Sequence, residues 1–191
     1  MNAPLRHVTV PERARLRVED YMLLAESGAF ATYSKTELIE GELYYVNAQF
    51  SRHARIKSLL TTEFNIALRA LGSDLEAWNE PSTRVSDESM PEPDVVLTRF
   101  RGRGPVPLET VPLIVEVSDT TFDFDYGTKQ RIYARAGISE YWIADCERQR
   151  MLRLWQPEGD LYARGDEAEF GKSLASVTIE GLDVATAVLK D

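Results

Sequence analysis

The spacing of apolar residues along the chain predicts three helices set among short strands. Three segments carry apolar residues at helical spacing: Val18–Gly28, Ser51–Leu71 and Gly127–Ala136. The second is the longest, with Ser51 as its predicted N-cap and Gly72 at its end. The third is ended by Gly137. Helices of this kind need an apolar partner, and the strands between them provide one.

Short apolar runs bounded by glycine, proline or acidic residues predict the strands. Residues Glu37–Val46 predict a hairpin that turns at Glu40 and Gly41. The run Val111–Ser118 is almost continuously apolar, as a strand covered on both faces should be. Other strands are predicted at Leu75–Trp78, Arg84–Val85, Pro91–Leu97, Glu140–Ala144, Arg150–Trp155, Leu161–Ala163 and Ser176–Ile179. This order predicts an α/β or α+β domain with a mixed central sheet flanked by helices.

Length and composition indicate one soluble domain. The chain has 191 residues, 43% hydrophobic and 28% charged, which predicts a flexible arm over residues 1–17 and a single domain over residues 18–191. No apolar run approaches the roughly 20 residues that cross a bilayer, and the N-terminus lacks the apolar core of a secretory signal. With one cysteine and two histidines, neither a disulfide nor a zinc site is expected. We therefore expect a cytoplasmic protein.

Two carboxylates in apolar strands are the most informative residues. Glu116 lies inside Leu113-Ile-Val-Glu-Val117, and Asp94 opens the run Val95–Leu97. Ionised carboxylates are rarely buried without a partner. Two of them within about 4 Å repel by roughly 4 kcal/mol at an effective dielectric constant near 20, so a proton, a basic side chain or a divalent cation must compensate. Oxygen ligands of this kind suit Mg²⁺. Equally, Asp94 could cap a turn and Glu116 could pair with an arginine, and the residue pattern leaves both readings open.

Several motifs, in order, resemble the Uma2 family (DUF820). The resemblance runs from about Val18 to Trp155. Its motifs are Glu37-Leu-Ile-Glu-Gly-Glu-Leu43, His53 opening a helix, Pro93-Asp94-Val-Val, Ile114-Val-Glu-Val-Ser118, and Asp125-x-x-x-Lys129-x-x-x-Tyr133-Ala-x-Ala-Gly137-Ile-x-Glu-Tyr-Trp-Ile-Ala-Asp145. The block from Tyr133 to Asp145 is the most specific. Uma2 proteins are bacterial endonuclease-like proteins of the PD-(D/E)xK nuclease superfamily.

The resemblance implies a restriction-endonuclease-like fold and a metal-dependent hydrolase that cleaves phosphodiester bonds, first of all in DNA. It implies that Asp94 and Glu116 bind Mg²⁺ (or Mn²⁺). The superfamily lysine normally follows the glutamate by two residues, where this chain has Ser118. Uma2-like sequences carry a lysine on the next helix instead, and Lys129 matches that position. Glu37 matches a frequent acid of the first hairpin and is a candidate outer or third metal ligand.

Other residues have two readings each. His53 either supports the site or is structural, and Tyr133 either orders Lys129 or packs. The arginines of the loop Arg99–Pro107 either contact phosphates or are solvated. Ordinary roles are expected for four acids: solvation for Glu40, Asp119 and Asp123, and helix capping for Asp125.

The function itself also has two readings. The missing strand lysine and the net charge of −9 favour a second one, in which the chain is a catalytically inactive module of the same fold that binds a protein or nucleic acid. For an active nuclease we expect a homodimer, because two-fold pairs are the commonest oligomers and two sites can cut two strands. Its expected interface is the C-terminal segment Leu152–Val188.

Overall fold

The computed structural model describes residues 10, 13–45 and 50–190, and helices and strands alternate along them. The α-helices are α1 (Val18–Glu26), α2 (Ser51–Ala70) and α3 (Gln130–Ala136). The strands are β1 (Thr36–Ile39), β2 (Glu42–Tyr45), β3 (Glu76–Asn79), β4 (Thr83–Arg84), β5 (Val95–Thr98), β6 (Val106–Pro107), β7 (Leu113–Ser118), β8 (Glu140–Asp145), β9 (Arg150–Glu158), β10 (Leu161–Glu169), β11 (Ser173–Ala175) and β12 (Asp183–Ala185). Short 3₁₀ turns cover Leu108–Thr110 and Ala187–Leu189, and a π-helical turn, Phe124–Lys129, precedes α3.

Six strands form the central sheet, in the order β10-β9-β8-β7-β5-β3. Strands β7 and β8 are parallel, and the other neighbours are antiparallel. Both central strands are buried along their whole length, which explains their nearly continuous apolar sequences. The predicted mixed sheet flanked by helices is therefore confirmed.

Each face of the sheet carries its own apolar core. On one face, α2 buries Leu60 and Phe64 against residues such as Val115 and Trp142, and the C-terminal strands close the same core. On the other face, α3 packs on residues that alternate with these, such as Ile114 and Ile143. Since side chains alternate along a strand, Glu116 shares the α3 face with Ile114. That face holds the candidate site.

The β1–β2 hairpin turns where predicted. Glu40 and Gly41 have φ values of +50° and +76°, and two successive positive φ values are what a two-residue hairpin turn of the primed type needs. A side chain at Gly41 would also collide with Arg15, because an added Cβ would lie 2.5 Å from the Arg15 Cβ. The last residue of the predicted hairpin, Val46, lies outside the described residues.

Two local predictions are wrong. Ser51 is the first residue of α2, Phe50 occupies the N-cap position, and no side-chain hydrogen bond caps this helix. Residues Ser176–Ile179 do not form a strand. Their polar groups turn inward to a buried carboxylate, because Ser176 Oγ, Val177 N and Thr178 N all donate to Glu140.

Of the predicted arm, residues 1–9, 11 and 12 lie outside the described part of the chain. Residues 13–17 run beside the hairpin, where Leu16 N donates a hydrogen bond to Gly41 O over 3.0 Å. Among the described helices, none combines the length and apolarity that crossing a membrane requires.

Candidate active site

The antiparallel register of β5 and β7 brings Asp94 and Glu116 together. Val95 pairs with Val115, so the residue before Val95 lies opposite the residue after Val115. Asp94 N donates to Glu116 Oε2 over 3.3 Å, and Val117 N donates to Asp94 Oδ2 over 2.8 Å. Each carboxylate is thus tied to the other strand's backbone, at one end of the sheet. Both are buried and line a cavity of about 460 Å³.

Lys129 enters this cavity from the π-helical turn that precedes α3. Its Nζ lies 3.0 Å from Glu116 Oε1. Tyr133, one turn later on α3, donates its hydroxyl to the same oxygen over 2.7 Å. The structure therefore gives Tyr133 a polar contact in the site, although the ring is also fully buried in the core. The lysine comes from a different element from the acids, as the family spacing predicts.

Glu37 brings a third carboxylate from β1. Its side chain is 2% exposed, and Lys129 Nζ lies 3.4 Å from Oε2. Glu37 Oε2 makes no hydrogen bond within the described residues. Lys35 Nζ lies 3.7 Å from Oε1 on the same side of the strand. Lys129 is therefore held between Glu116 and Glu37.

Two residues of α2 reach Asp94 from the other side. His53 Nε2 lies 3.2 Å from Asp94 Oδ2, and Lys57 Nζ lies 3.9 Å from Oδ1. Lys57 also lies 2.8 Å from Glu80, which in turn lies 3.1 Å from Lys35. The site is thus a chain of alternating acids and lysines. Its histidine touches the predicted metal-ligand position.

Asp125 adds a carboxylate that the sequence does not predict for the site. It caps no helix: it lies inside the π-helical turn, is buried and lines the cavity. Thr121 Oγ1 donates to Asp125 Oδ2 over 2.6 Å. Burial raises the pKa of Asp125 to about 6, against the opposing effects of Lys129 and the Thr121 hydroxyl.

The pKa values of the two central acids diverge. Burial raises the pKa of Glu116 to about 8, because the charge of Lys129 is outweighed by burial together with Asp94, Asp125 and Glu37. Burial also acts to raise the pKa of Asp94, but the hydrogen bond and charge of His53, with Lys129, lower it below its ordinary value. Asp94 is therefore ionised at neutral pH, whereas Glu116 gains or loses its proton at a pH close to neutral.

Lys129 keeps its charge at neutral pH. Burial acts to lower its pKa, but the carboxylates around it, led by Glu116 and Glu37, raise the pKa above the ordinary lysine value. Burial and Glu116 raise the pKa of Tyr133 well above that of a free tyrosine. Both groups can donate hydrogen bonds or stabilise negative charge, and neither can take up a proton.

The donor set fits a divalent cation that prefers oxygen. No group of three or more His, Cys, Asp or Glu side chains in the described part of the chain is placed to hold a metal ion. Mg²⁺, however, binds through one or two carboxylates and fills its other positions with water and substrate oxygens. Asp94 and Glu116 supply two such carboxylates, and the unbonded Glu37 Oε2 indicates an excess of acceptors over donors.

The remaining candidates fall outside the site or at its edge. Arg99 and Arg101 pair with Asp74 and Glu76 at the opposite end of β5. Glu40 is not simply solvated, because it pairs with the α3 arginines Arg131 and Arg135. Asp119 lines the cavity and lies 3.7 Å from Arg52.

The spacing of residues in the sequence contains weak signals for the site residues that were not predicted from it. Lys57 follows His53 by four residues, which puts both on one helix face. Lys35 precedes Glu37 by two residues, which puts both on one side of a strand. Asp125 precedes Lys129 by four residues, and the structure places both in the π-helical turn and both at the cavity.

Comparison with known proteins identifies a family and a similar solved structure. The model of the Uma2 family, described as "Putative restriction endonuclease", matches residues 18–187. The crystal structure of "a putative nuclease belonging to DUF820" from Anabaena variabilis ATCC 29413 superposes with a TM-score of 0.65 at 14% identity, over 91% of this chain and 97% of that one. No curated protein matches. At this identity the superposition supports the fold alone.

Proposed function

Because this chain belongs to the Uma2 family, we propose that it is a divalent-metal-dependent endonuclease that hydrolyses phosphodiester bonds, first of all in DNA, in the cytoplasm. The observation that carries the proposal is the meeting of Asp94, Glu116 and Lys129 in one cavity, with Lys129 Nζ 3.0 Å from Glu116. Two acids can hold a divalent cation, and a charged lysine can stabilise the negative charge that develops on the phosphate during hydrolysis.

Asp94 and Glu116 are the residues that would hold Mg²⁺ or Mn²⁺. A bound divalent cation supplies Lewis acidity towards a phosphoryl oxygen and lowers the pKa of its water. Glu116 must give up its proton to act as a ligand, since its pKa of about 8 leaves it partly protonated at neutral pH. His53 and Val117 N orient Asp94 by contacting the same oxygen, Oδ2.

Lys129 provides a fixed positive charge for the phosphate. Its Nζ is held between Glu116 and Glu37, so it does not need to reorganise when negative charge develops on the substrate. Its raised pKa excludes a role as general base. Glu37 positions the ammonium and is a candidate outer ligand of the metal.

A cleavage assay tests the proposal. Supercoiled plasmid, linear duplex, single-stranded DNA and RNA are incubated with wild type, Asp94→Asn and Lys129→Ala, with Mg²⁺, Mn²⁺ or EDTA. We expect cleavage by wild type that EDTA stops and Asp94→Asn abolishes. Equal cleavage by Asp94→Asn and wild type would show that a contaminating nuclease or another site is responsible. If wild type cuts no substrate with either metal, the nuclease proposal fails and the alternative of a binding module of this fold is favoured.

The proposal includes a homodimer through the C-terminal segment. In Leu152–Val188, three large apolar side chains are exposed: Leu161, Val177 and Val188. A closed two-fold pair would cover them and present two cavities to one substrate. Light scattering at tens of micromolar should give twice the monomer mass of 21.6 kDa. A monomeric mass there contradicts the dimer without affecting the chemistry.

A further inference from the structure

Aromatic side chains surround the cavity that holds Lys129. Four of them line it: Tyr44, Tyr45, Phe50 and Phe124. We call these four the aromatic rim. The rings of Tyr44 and Phe124 are in tilted contact, with 5.2 Å between their centroids, and both are partly buried. Tyr45 and Phe50 are 62% and 73% exposed.

Tyr45 and Phe50 are large side chains that are mostly exposed. Single exposed apolar residues are common on protein surfaces and need no explanation. Here, however, two exposed rings come from different parts of the chain, Tyr45 at the end of β2 and Phe50 just before α2. Both line one cavity together with the partly buried rings of Tyr44 and Phe124. Tyr33 extends the group, with its ring 5.4 Å from that of Tyr45. An aromatic surface beside a cation offers a nucleotide a contact for the face of its base and a contact for its phosphate.

The cavity offers little charge for binding a polynucleotide backbone. Its lysines are Lys35 and Lys129, and each lies within 4 Å of carboxylates. The arginine-rich loop that follows β5 lies at the opposite end of the sheet, where Arg99 and Arg101 pair with acids. The chain as a whole carries a net charge of −9. A protein that binds duplex mainly through phosphates needs several uncompensated cations along its groove.

We propose that the aromatic rim stacks on unpaired bases, so that the substrate is a single strand or a single-stranded segment of nucleic acid. This rests on the proposed function of the same cavity. Bases of an intact duplex are stacked on one another and leave no face for Tyr45 or Phe50. An unpaired strand exposes the faces of its bases and can turn a phosphate inward to Lys129. Stacking on aromatic side chains supplies affinity that does not depend on cations.

Binding measured without cleavage tests this. Labelled single-stranded DNA, single-stranded RNA and the matching DNA duplex are titrated with wild type, monitored by fluorescence anisotropy, with EDTA and again with Ca²⁺. We expect single strands to bind at least tenfold more tightly than duplex. The affinity for single strands should depend weakly on salt, with a log–log slope near −0.7 for each of about one or two phosphates neutralised. The comparison of DNA with RNA identifies which polymer is preferred.

Substitutions in the aromatic rim distinguish stacking on bases from non-specific hydrophobic binding. Tyr45→Leu and Phe50→Leu should each weaken single-strand binding about 5- to 100-fold, the range found for loss of one stacked base. Tyr45→Phe and Phe50→Tyr should retain it. Leu23→Ala on α1 removes an apolar side chain that is 68% exposed and does not line the cavity, and it should change nothing. Quenching of 2-aminopurine placed along the strand should disappear only in the leucine variants.

The outcomes distinguish this inference from the proposed function. Duplex binding as tight as single-strand binding, with no effect of Tyr45→Leu or Phe50→Leu, overturns the inference even if plasmid is cleaved. Aromatic-dependent binding of single strands without any cleavage supports the inference and contradicts the nuclease. Circular dichroism of each variant, with the retained binding of Tyr45→Phe and Phe50→Tyr, excludes misfolding as the cause of lost binding.

Discussion

Two buried glutamates on neighbouring strands have opposite surroundings. Glu140 opens β8, faces the α2 side of the sheet and is 0% exposed. It accepts hydrogen bonds on both oxygens, and every donor is neutral: Trp142 Nε1, Ser176 Oγ, Val177 N, and Thr178 N and Oγ1. Glu116 on β7 faces the other side, among Asp94, Glu37 and Asp125. It accepts from Lys129 and Tyr133 on one oxygen and from Asp94 N, at 3.3 Å, on the other.

The two glutamates illustrate two different ways of burying a carboxylate. Neutral donors that saturate a carboxylate hold a loop in place, as Glu140 does for residues 176–178. A carboxylate crowded by like charges destabilises the folded protein unless a cation joins it, which is typical of functional sites. Burial alone therefore does not identify a catalytic acid. The number and charge of the hydrogen-bond donors distinguish Glu116 from Glu140.

The largest expected effect is on the Glu116 side, at Lys129. Lys129→Ala should lower the cleavage rate about 10²–10³-fold, the usual cost of removing one preorganised electrostatic group. Folding should survive, because Glu116 can take up a proton when its partner is lost. Ser118→Lys in the Lys129→Ala background should restore part of the rate by supplying the cation from the strand. Cleavage rates with circular dichroism measure this, and an unchanged rate in Lys129→Ala would make Lys129 an ordinary lysine.

The second prediction concerns stability on the Glu140 side. Glu140→Gln places an amide N–H against the donors of residues 176–178, so the free energy of unfolding should fall by about 1.5–3 kcal/mol. Glu116→Gln in metal-free protein should change it less, since a neutral side chain relieves the repulsion from Asp94. Urea denaturation of both variants measures the difference. A larger loss for Glu116→Gln would reverse the comparison. Cleavage per folded molecule should be unchanged in Glu140→Gln.

The third prediction is the pH dependence of metal binding. The pKa of Glu116 is raised to about 8, so below that pH a proton competes with the cation. Mg²⁺ affinity should therefore weaken as pH falls from 8 to 6, by roughly tenfold per unit. Calorimetry should show the same dependence of Mg²⁺ affinity on pH for Glu140→Gln as for wild type, and no heat of Mg²⁺ binding for Asp94→Ala. Equal heats in wild type and Asp94→Ala would place the metal elsewhere.

The smallest effects are expected when one hydrogen bond is removed from each glutamate in turn. Tyr133→Phe removes the 2.7 Å bond to Glu116, and Thr178→Val removes the 2.8 Å bond to Glu140. Each bond is worth about 0.5–1.5 kcal/mol. Tyr133→Phe should slow cleavage several-fold with little change in stability, and Thr178→Val should do the opposite. Loss of stability alone in Tyr133→Phe would assign that tyrosine to packing.

The sequence predicted the fold better than it predicted the surroundings of the acids. The long apolar runs and helical spacing sufficed for α2, β7 and β8, because burial on both faces dictates composition. Glu116 and Glu140, however, look alike in sequence, since each belongs to a strand whose other residues are mostly apolar. What distinguishes them is which loop folds over each, and that contact is not local. The same reason explains the error at Ser176–Ile179, whose alternation resembles a strand but whose Val177 and Thr178 N–H groups donate to Glu140.

The π-helical turn Phe124–Lys129 changes the directions in which successive side chains leave the helix before α3 begins. A π turn contains one residue more than an α turn, and one residue corresponds to roughly 100° around a helix axis. Deleting a residue here, such as Gly127, would leave α3 and the adjoining Lys129 in place and rotate Asp125 by roughly 100° relative to them. The direction of the Asp125 carboxylate is thus encoded in chain length, and not only in the identity of the residue. A single deletion in this turn would therefore turn one carboxylate out of the site while the core stays unchanged.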